Sequence, residues 1–303
     1  MSHVPVMMKE VLEYLDPKPG DRFVDGTLGD GGHAMAIVER SAPGGKVLGL
    51  DWDPVAVAEC EVKIEKSKVG DGFVIVNANF KEIASVVAER KFGPVRGILL
   101  DLGFSSSTLE RGRGFSFEKD EPLDMRFNVG EERQTAADIV NGASTEELEM
   151  IFREYGEEKL ASLIARAIVG ARRKSRIIRT LELSEVVLEV YRQKLKSKKK
   201  IPWIGGLHPA TRVFQALRIA VNEELANIQE TLPEAIEVLA PGGRLAVITF
   251  HSLEDRIVKH FFKGEDKKSL KILTKRPIPA SEQEIAENPR ARSAKLRVVE
   301  KLA

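Results

Sequence analysis

The segment that most constrains this sequence is a glycine-rich stretch that follows a short apolar run. It reads Phe23-Val24-Asp25-Gly26-Thr27-Leu28-Gly29-Asp30-Gly31-Gly32-His33. The hydrophobic pattern predicts a strand up to Asp25 and a helix from Ala34, so the glycines fill the turn between them. Glycine adopts positive φ without strain and lets the backbone approach a ligand closely. One glycine is enough for a tight turn without a ligand, whereas four glycines within seven positions favour a ligand here.

A strand, a glycine loop and a helix in that order are typical of the first unit of a nucleotide-type cofactor site in a doubly wound sheet. The free N–H groups at the start of such a helix point into the turn. The spacing here is D-G-x-x-G-x-G-G, which differs from the G-x-G-x-x-G of dinucleotide-binding proteins. The loop therefore disfavours NAD without identifying another cofactor.

Carboxylates follow three predicted parallel strands, at Asp25, Asp51 and Asp101. Ligands of open α/β sheets bind at the carboxyl ends of the strands. Asp51 lies about 20 residues after the glycine loop, where a carboxylate can accept both ribose hydroxyls of an adenosine cofactor. We assign Asp51 to the ribose, and a purely structural role is the alternative. Asp53 precedes a proline and is the predicted N-cap of the next helix.

Phe80 follows the third predicted strand, which spans 73–76. A side chain at this strand end would lie beside the adenine ring of a cofactor. Phe80 either stacks on that ring or packs the following helix, 81–91, against the sheet. Position alone does not separate the two interpretations.

Composition narrows the class of protein. The chain has 303 residues, of which 43% are hydrophobic and 31% charged, as in a globular protein. The net charge of +1 means that any affinity for nucleic acid comes from local clusters. Cys60 is the only cysteine, which excludes an internal disulfide and a cysteine-based zinc site and fits a reducing cytosol. With no bilayer-length apolar run and no signal-peptide core, we expect a cytoplasmic protein with no membrane partner.

The strand–helix alternation stops near residue 105 and resumes near residue 209. Short helices are predicted between these points, including one that begins with Thr145 as its cap. Beyond them, Pro241-Gly242-Gly243 predicts a tight turn before a fifth strand. Two last strand candidates, 269–274 and 294–299, form the antiparallel ending that is usual for S-adenosylmethionine-dependent methyltransferases. We expect a methyltransferase core at 1–114 and 209–303, interrupted by a helical domain at 115–208.

A basic cluster lies in this predicted insertion. Residues 166–200 contain 12 Lys or Arg and only three acidic residues. The lysine run Lys196-Ser197-Lys198-Lys199-Lys200 on its own is typical of a solvated surface. The arginines at 172–179 are more specific, because the guanidinium group pairs with phosphate in a fixed fork. A phosphate-backbone contact is one interpretation of this cluster.

Several chemistries are poorly supported. Ser252 directly follows His251 without the G-x-S-x-G turn of a serine hydrolase. The five histidines lack ligand spacing, so no metal site is expected. What remains is a cofactor with a ribose, an adenine and a cationic sulfonium, bound by Gly31, Gly32, Asp51, Phe80 and Asp101. Methyl transfer requires in-line positioning and removal of a proton, for which Asp101 or a nearby carbonyl is the candidate acceptor.

Longer blocks of sequence resemble the MraW family of bacterial small-subunit ribosomal RNA methyltransferases, from His3 nearly to the C-terminus. These blocks are Asp25–His33, Asp101-Leu102-Gly103-Phe104-Ser105-Ser106, Arg113–Phe117, Pro122–Arg126, Tyr155–Glu158, Ala210–Arg218, Phe250–Arg256 and Asn288–Ser293. The resemblance implies the class I S-adenosylmethionine-dependent methyltransferase fold, a doubly wound sheet with an inserted helical domain. It also implies N4-methylation of one cytidine in the decoding region of 16S rRNA, within the small ribosomal subunit.

The resemblance places the methyl donor on Gly31, Gly32, His33, Asp51, Phe80, Asp101 and Thr108. At the last of these positions the family more often has Gln. Many other amino-methyltransferases carry an acidic residue or Asn before Pro-Pro-aromatic at the fourth strand, whereas this chain reads Asp101-Leu102-Gly103-Phe104. Their catalytic geometry therefore does not transfer to this chain, and the general base is not identified.

Four residues in the family-like blocks are candidates for contact with the target cytidine: Asp124, Arg126, Asn222 and His251. For Asp124 and Arg126 the alternative is an ion pair that holds the insertion to the core, and for His251 it is a structural hydrogen bond. A target base must be unstacked to reach such a pocket, which suits a single-stranded rRNA site. Two other functions remain open: a class I methyltransferase that acts on DNA, protein or a small molecule, and a non-catalytic RNA-binding assembly factor.

Overall fold

The computed structural model describes residues 5–67, 70–103 and 106–303. Phe104 and Ser105 of one family-like block, and His3, lie outside these residues. Two compact units are present: a core unit of Met1–Ser105 with Leu225–Ala303, and a helical unit of Ser106–Glu224. The predicted insertion, 115–208, lies within the helical unit.

The described residues contain eight strands and thirteen α-helices. The strands are β1 (Arg22–Asp25), β2 (Lys46–Asp51), β3 (Phe73–Asn77), β4 (Val95–Asp101), β5 (Leu239–Thr249), β6 (Leu270–Ile272), β7 (Ile278–Pro279) and β8 (Lys295–Lys301). The helices are α1 (Met8–Leu15), α2 (Gly32–Arg40), α3 (Pro54–Glu65), α4 (Ile83–Glu89), α5 (Ser106–Glu110), α6 (Ala136–Gly142), α7 (Thr145–Glu154), α8 (Ala161–Arg172), α9 (Thr180–Leu195), α10 (Thr211–Asn222), α11 (Glu224–Val238), α12 (Ser252–Glu265) and α13 (Glu282–Glu287).

The strands of the core unit form one sheet in the order β3-β2-β1-β4-β5-β8-β6, with β7 paired to β8. Strands β1 to β5 run parallel, and β8 is antiparallel to both β5 and β6. The chain moves outward from β1 to β3 and then crosses back to β4, so the strand order reverses beside β1. The predicted doubly wound sheet with a terminal antiparallel pair is therefore confirmed.

Alternating side chains of the parallel strands bury two apolar layers. Val24, Ile98 and Leu100 belong to one cluster, whereas Phe23 and Leu99 belong to the other. Successive residues of a strand point to opposite faces of a sheet, so the two clusters cover its two faces. This burial on both faces explains why the strands read as continuous apolar runs in the sequence.

The helical unit has its own apolar core, contributed by α6 to α10. One predicted detail of this unit is wrong: Ser144, and not Thr145, is the N-cap of α7. The Ser144 hydroxyl accepts a hydrogen bond from Glu147 N, and the Glu147 carboxylate accepts one from Ser144 N. Sequence spacing alone does not separate adjacent Ser and Thr caps, because both residue types accept the same hydrogen bond.

The predicted tight turn at Pro241-Gly242-Gly243 lies within the bounds of β5. Val95 pairs with Leu239 and Gly97 pairs with Arg244, so the longer β5 segment bulges outward between the two pairs. Gly242 has a φ of 75°, which glycine adopts without strain. The pairing with β4 is therefore interrupted at the predicted turn and resumes at Arg244.

Among the described residues, no helix combines the length and apolar character needed to cross a lipid bilayer.

Candidate cofactor site

The glycine loop joins β1 to α2 at the carboxyl edge of the sheet. Gly26 N donates to Leu99 O of β4 at 2.9 Å, and Leu28 N donates to Leu50 O of β2 at 2.8 Å. The loop is therefore held between the two strands that flank β1. Gly31 has a φ of 76° and is the N-cap of α2, with no side-chain cap. The first amides of α2 thus begin directly at the loop, which is the geometry of an anion- or ligand-binding turn.

The space around this loop excludes side chains larger than hydrogen. A Cβ on Gly31 would lie 2.6 Å from Cys60 Sγ, and one on Gly26 would lie 2.6 Å from Leu100 Cδ2. Both distances are far below van der Waals contact. The glycines are therefore required by packing, in addition to any ligand that approaches the backbone.

Asp51 ends β2 and supports the loop with its carboxylate. Its Oδ2 accepts from Gly29 N at 2.7 Å, and its Oδ1 accepts from Asp53 N at 2.8 Å. The predicted N-cap role of Asp53 is confirmed, because its Oδ1 accepts from Val55 N at 3.0 Å. Asp51 thus fixes the backbone at the strand end, and its assignment to a ribose stays a prediction.

Phe80 begins a single 3₁₀ turn after β3 and is partly buried against one apolar cluster of the core unit. The residue before it, Asn79, is 1% exposed and accepts from Lys81 N through Oδ1 at 3.1 Å. The Asn79 Nδ2 is buried, and no hydrogen-bond partner for it lies in the part of the chain that the structure describes. Sequence reasoning missed this amide, although the capping spacing of Asn79 and Glu82 was visible.

Thr27 is hydrogen-bonded to both Asp25 and Asp101, the residues that end β1 and β4. Its amide donates to Asp25 Oδ1 at 3.1 Å, and its Oγ1 accepts from Asp101 N at 2.6 Å. Asp101 Oδ2 also lies 3.9 Å from His33 Nδ1, while His33 Nε2 is 2.9 Å from Val6 O. Sequence reasoning assigned no role to Thr27, because a threonine inside a glycine-rich turn gives no pattern of its own.

Asp25 is the most perturbed of these carboxylates. It is 1% exposed, and burial together with the nearby charges of Asp101 and Asp51 raises its pKa to about 7, against the opposing hydrogen bonds from Thr27. A carboxyl group that is fully buried beside two others favours its neutral form. Such perturbation by specific neighbours is common at functional sites.

The remaining candidates lie elsewhere in the chain. Thr108 is in α5 of the helical unit and is buried. Asp124 and Arg126, also in the helical unit, form a bidentate ion pair with two contacts of 2.8 Å. Asn222 ends α10, and its Oδ1 accepts from Phe127 N at 2.9 Å while its Nδ2 donates to Met125 O at 2.7 Å. The structure therefore brings Asp124, Arg126 and Asn222 together around one short segment.

His251 follows β5 in the core unit and is the N-cap of α12. Its Nδ1 is 3.4 Å from Glu254 N, and its Nε2 lies 3.0 Å from Glu254 Oε1. The other oxygen of Glu254 accepts from Phe250 N at 2.8 Å. The Nδ1 contact is the structural hydrogen bond that was the alternative to base contact, whereas the buried Nε2 has no hydrogen-bond partner among the described residues.

The carboxyl edge of the core unit fits an adenosyl cofactor. The amides of α2 begin at the glycine loop, the Asp51 carboxylate suits hydroxyl groups, and the buried Asn79 amide suits an adenine nitrogen. Together with the strand order and the antiparallel β8, these features define a class I methyltransferase, whose cofactor is S-adenosylmethionine.

Comparison with known proteins narrows this class further. A model described as the MraW methylase family matches residues 1–302. A relative from Geobacter sulfurreducens, named ribosomal RNA small subunit methyltransferase H, is 48% identical over 322 residues, which cover 99% of each chain. Relatives of the same name come from Carboxydothermus hydrogenoformans, 46% identical over 319 residues (100% of this chain, 98% of the relative), and Heliobacterium mobile, 45% identical over 318 residues (99% of each). The chain belongs to the MraW methylase family, which confirms the resemblance in its sequence blocks.

Proposed function

We propose that this protein methylates the exocyclic N4 of a cytidine in the decoding region of 16S rRNA, in the cytoplasm, with S-adenosylmethionine as donor. The observation that carries the proposal is the full-length match to relatives named ribosomal RNA small subunit methyltransferase H. That match spans both the core unit and the helical unit.

The proposed donor site consists of the glycine loop and the strand ends around it. Its residues in the core unit are Gly31, Gly32, His33, Asp51, Phe80 and Asp101. Thr108 of the helical unit is a further candidate, which the resemblance to the family implies. When bound, S-adenosylmethionine supplies a methyl group on an electrophilic sulfonium. Asp51 then accepts from the ribose hydroxyls with the same carboxylate that holds Gly29 N.

Asp101 is the candidate group for the transferred proton. The lone pair of a cytosine amine is conjugated with the ring, so a hydrogen-bond acceptor at the N–H makes the nitrogen a better nucleophile. The backbone of Asp101 is fixed by Thr27 Oγ1, and its carboxylate lies 3.9 Å from His33. Transfer of the methyl group to N4 would break the S–C bond of the sulfonium and leave a neutral thioether, and Asp101 would accept the proton that the amine loses. In-line positioning supplies much of the remaining rate enhancement.

The helical unit is the proposed substrate-recognition domain, within which we place the insertion 115–208. Asp124, Arg126 and Asn222 are its candidate contacts to the target cytidine, and His251 of the core unit is the fourth. Within the basic residues at 172–200, Arg172, Arg179 and Arg192 are bonded to groups of the protein. The other basic residues of this range are the candidates for phosphate contacts. A flipped-out base is the form of substrate that such an enzyme requires.

The test is methyl incorporation from labelled S-adenosylmethionine into small ribosomal subunits that lack the modification, compared with naked rRNA and DNA. We expect one cytidine to be labelled, as mapped by nuclease digestion and mass spectrometry. Asp101→Asn is expected to lower kcat on the order of 100-fold, whereas the exposed Glu89→Gln leaves it unchanged. Labelling of DNA alone contradicts the proposal, and the absence of S-adenosylmethionine binding supports a non-catalytic RNA-binding protein instead.

A further inference from the structure

A short hairpin projects from the helical unit between α9 and α10. Ile204 N donates to Leu207 O at 3.0 Å, and Leu207 N donates to Ile204 O at 2.9 Å. Gly205 and Gly206 fill the two turn positions with φ of 56° and 82°, the positive values that a two-residue type I′ turn requires. The hydrogen bonds and the turn chemistry agree, so this loop has a defined conformation.

The lysine-rich segment before the hairpin is also tied down. The Arg192 guanidinium donates to Lys200 O through Nε at 3.1 Å and Nη2 at 2.6 Å, while its Nη1 contacts Glu185 at 2.7 Å. The run therefore folds back against α9. Because these contacts use the backbone of Lys200, they leave the lysine side chains on the surface. The exposed lysines are Lys194, Lys196, Lys198, Lys199 and Lys200.

Along the sequence the charge of this segment has one sign, although Arg192 pairs with Glu185 in the structure. Residues 190–208 contain six Lys or Arg and no Asp or Glu. Residues 190–222 also contain no acidic residue. Such a one-signed stretch attracts a polyanion, although the whole chain has a net charge of only +1.

Four aromatic rings contact one another in series, from the core of the helical unit to the hairpin. Phe214 contacts Phe117 edge-on at 5.6 Å, and Phe117 stacks face to face on His208 at 4.5 Å. His208 is buried and contacts Trp203 edge-on at 5.5 Å. The Trp203 indole is therefore packed on one side against His208, which is itself packed against Phe117.

The outer part of the same indole is open to solvent. Trp203 is 56% exposed, and its neighbours Ile204 and Leu207 are 39% and 48% exposed. A large aromatic surface on a fixed turn is costly to leave in water, and it is the usual platform for stacking a nucleobase. The exposed lysines that precede Trp203 in the chain favour nucleic acid over an apolar protein surface as the occupant.

We propose that Trp203 stacks on an unpaired base of the RNA substrate, and that Lys196, Lys198, Lys199 and Lys200 bind the phosphates on either side of that base. The identity of the RNA rests on the proposed function. The base that stacks on Trp203 is a different base from the one that is methylated. It holds a second, single-stranded element of the substrate by stacking and charge.

The test uses the full-length protein and a fluorescein-labelled single-stranded RNA of 12 nucleotides, with binding followed by anisotropy. Trp203→Ala is expected to weaken binding roughly 10-fold, because base–aromatic stacking is lost. Trp203→Phe keeps an aromatic face and most of the affinity, which separates stacking from misfolding. Met150→Ala, at an equally exposed apolar residue of the same unit, serves as the matched control and leaves binding unchanged.

The lysines are tested by the salt dependence of the same binding. The triple variant Lys198→Gln, Lys199→Gln and Lys200→Gln is expected to reduce the slope of log K against log salt by about 2, because fewer counterions are released. The variant Lys267→Gln with Lys268→Gln removes exposed lysines from the core unit and leaves the slope unchanged. An unchanged slope in the triple variant overturns the phosphate contacts.

Other outcomes separate this inference from the proposed function. If Trp203→Ala binds single-stranded RNA as the wild type does, the stacking contact is wrong, even where rRNA is still methylated. If the variant loses affinity for assembled subunits but not for protein-free rRNA, the hairpin contacts a protein and the inference is overturned. If the wild type methylates no rRNA yet Trp203→Ala weakens RNA binding, the proposed function fails and the hairpin contact stands.

Discussion

The carboxylates of the two units differ in how their negative charge is compensated, and their pKa values shift in opposite directions. In the core unit, Asp25 and Asp51 accept from backbone amides at the end of the sheet, and burial raises the pKa of Asp25 to about 7. In the helical unit, burial also opposes the charge of Asp124. There, however, the hydrogen bonds and charge of Arg126 outweigh it and lower the pKa.

This difference separates two uses of the same side chain. A carboxylate in a bidentate ion pair has its charge compensated within the protein and contributes to the fold. Carboxylates grouped at a sheet edge repel one another, which costs free energy of folding unless a ligand compensates them. The core edge is therefore the part of the molecule that is arranged for a ligand, whereas the Asp124–Arg126 pair is internally satisfied.

The largest expected effect is a pH dependence caused by Asp25. Because its pKa is raised in the folded state, the folded protein binds more protons than the unfolded chain between about pH 4 and pH 7. Its contribution to stability is thus complete at low pH and is lost as the pH rises towards 7. Urea unfolding of the cofactor-free protein, followed by circular dichroism, measures this trend.

Asp25→Asn removes the titrating group and is the control for that measurement. Between pH 5 and pH 8, we expect the free energy of unfolding of the wild type to fall by roughly 3 kcal/mol relative to the variant. A constant difference between the two proteins across this range contradicts the raised pKa and weakens the contrast between the two units.

The second prediction concerns the internally satisfied region. Asn222→Ala leaves Phe127 N and Met125 O without their side-chain partner, which costs roughly 2 to 3 kcal/mol of stability. Thermal unfolding measures the loss, and Asn128→Ala nearby is the control with little effect. A stable Asn222→Ala variant with impaired methylation would instead favour direct contact between Asn222 and the cytidine.

The third prediction is a loss of cofactor affinity. Asp51→Asn is expected to weaken S-adenosylmethionine binding on the order of 100-fold, because two hydrogen bonds to a charged acceptor become neutral. Isothermal titration calorimetry measures the affinity. Asp71→Asn, an exposed aspartate of the same unit, is the matched control. Equal affinities of the two variants would reassign Asp51 to structure alone.

The smallest expected effect comes from the glycine loop. Gly31→Ala combines positive φ with a contact of 2.6 Å to Cys60 Sγ, whereas Gly20→Ala has positive φ and open space around its Cβ. We expect Gly31→Ala to cost about 2 kcal/mol of stability and Gly20→Ala about 1 kcal/mol. The double variant Gly31→Ala with Cys60→Ala should recover part of the difference in thermal unfolding. No recovery would show that the clash with Cys60 is not the cause.

Much of the fold follows from local patterns. The apolar runs that end at Asp25, Asp51 and Asp101 correspond to strands because a parallel strand is buried on both faces and shows little polar interruption. Asp53 was predictable as an N-cap because Pro54 is favoured at the first position of a helix, and aspartate is favoured at the position before it. The turn at Pro241-Gly242-Gly243 was also predictable, because these residues lie in the irregular segment between Leu239 and Arg244, the two residues that pair with β4.

The candidate site was predictable only where the residue type implied a chemistry. Glycines and strand-end aspartates gave such signals. Thr27 and Asn79 did not, because their roles depend on contacts with Asp101 N and on burial of one amide nitrogen. Likewise, Arg126 was visible as a basic residue, but its bidentate pairing with Asp124 was not.

By itself, the sequence determined which strands end in an aspartate at one edge of the sheet, the helical nature of the central segment and the family. These properties depend on residue type and periodicity. Only the tertiary structure decided which carboxylates are compensated and which are crowded, and which aromatic ring remains exposed. Charge compensation and burial arise from residues that are distant in the chain, such as Thr27 and Asp101 or Phe117 and His208. Their proximity is a property of the packed fold and leaves no local pattern in the sequence.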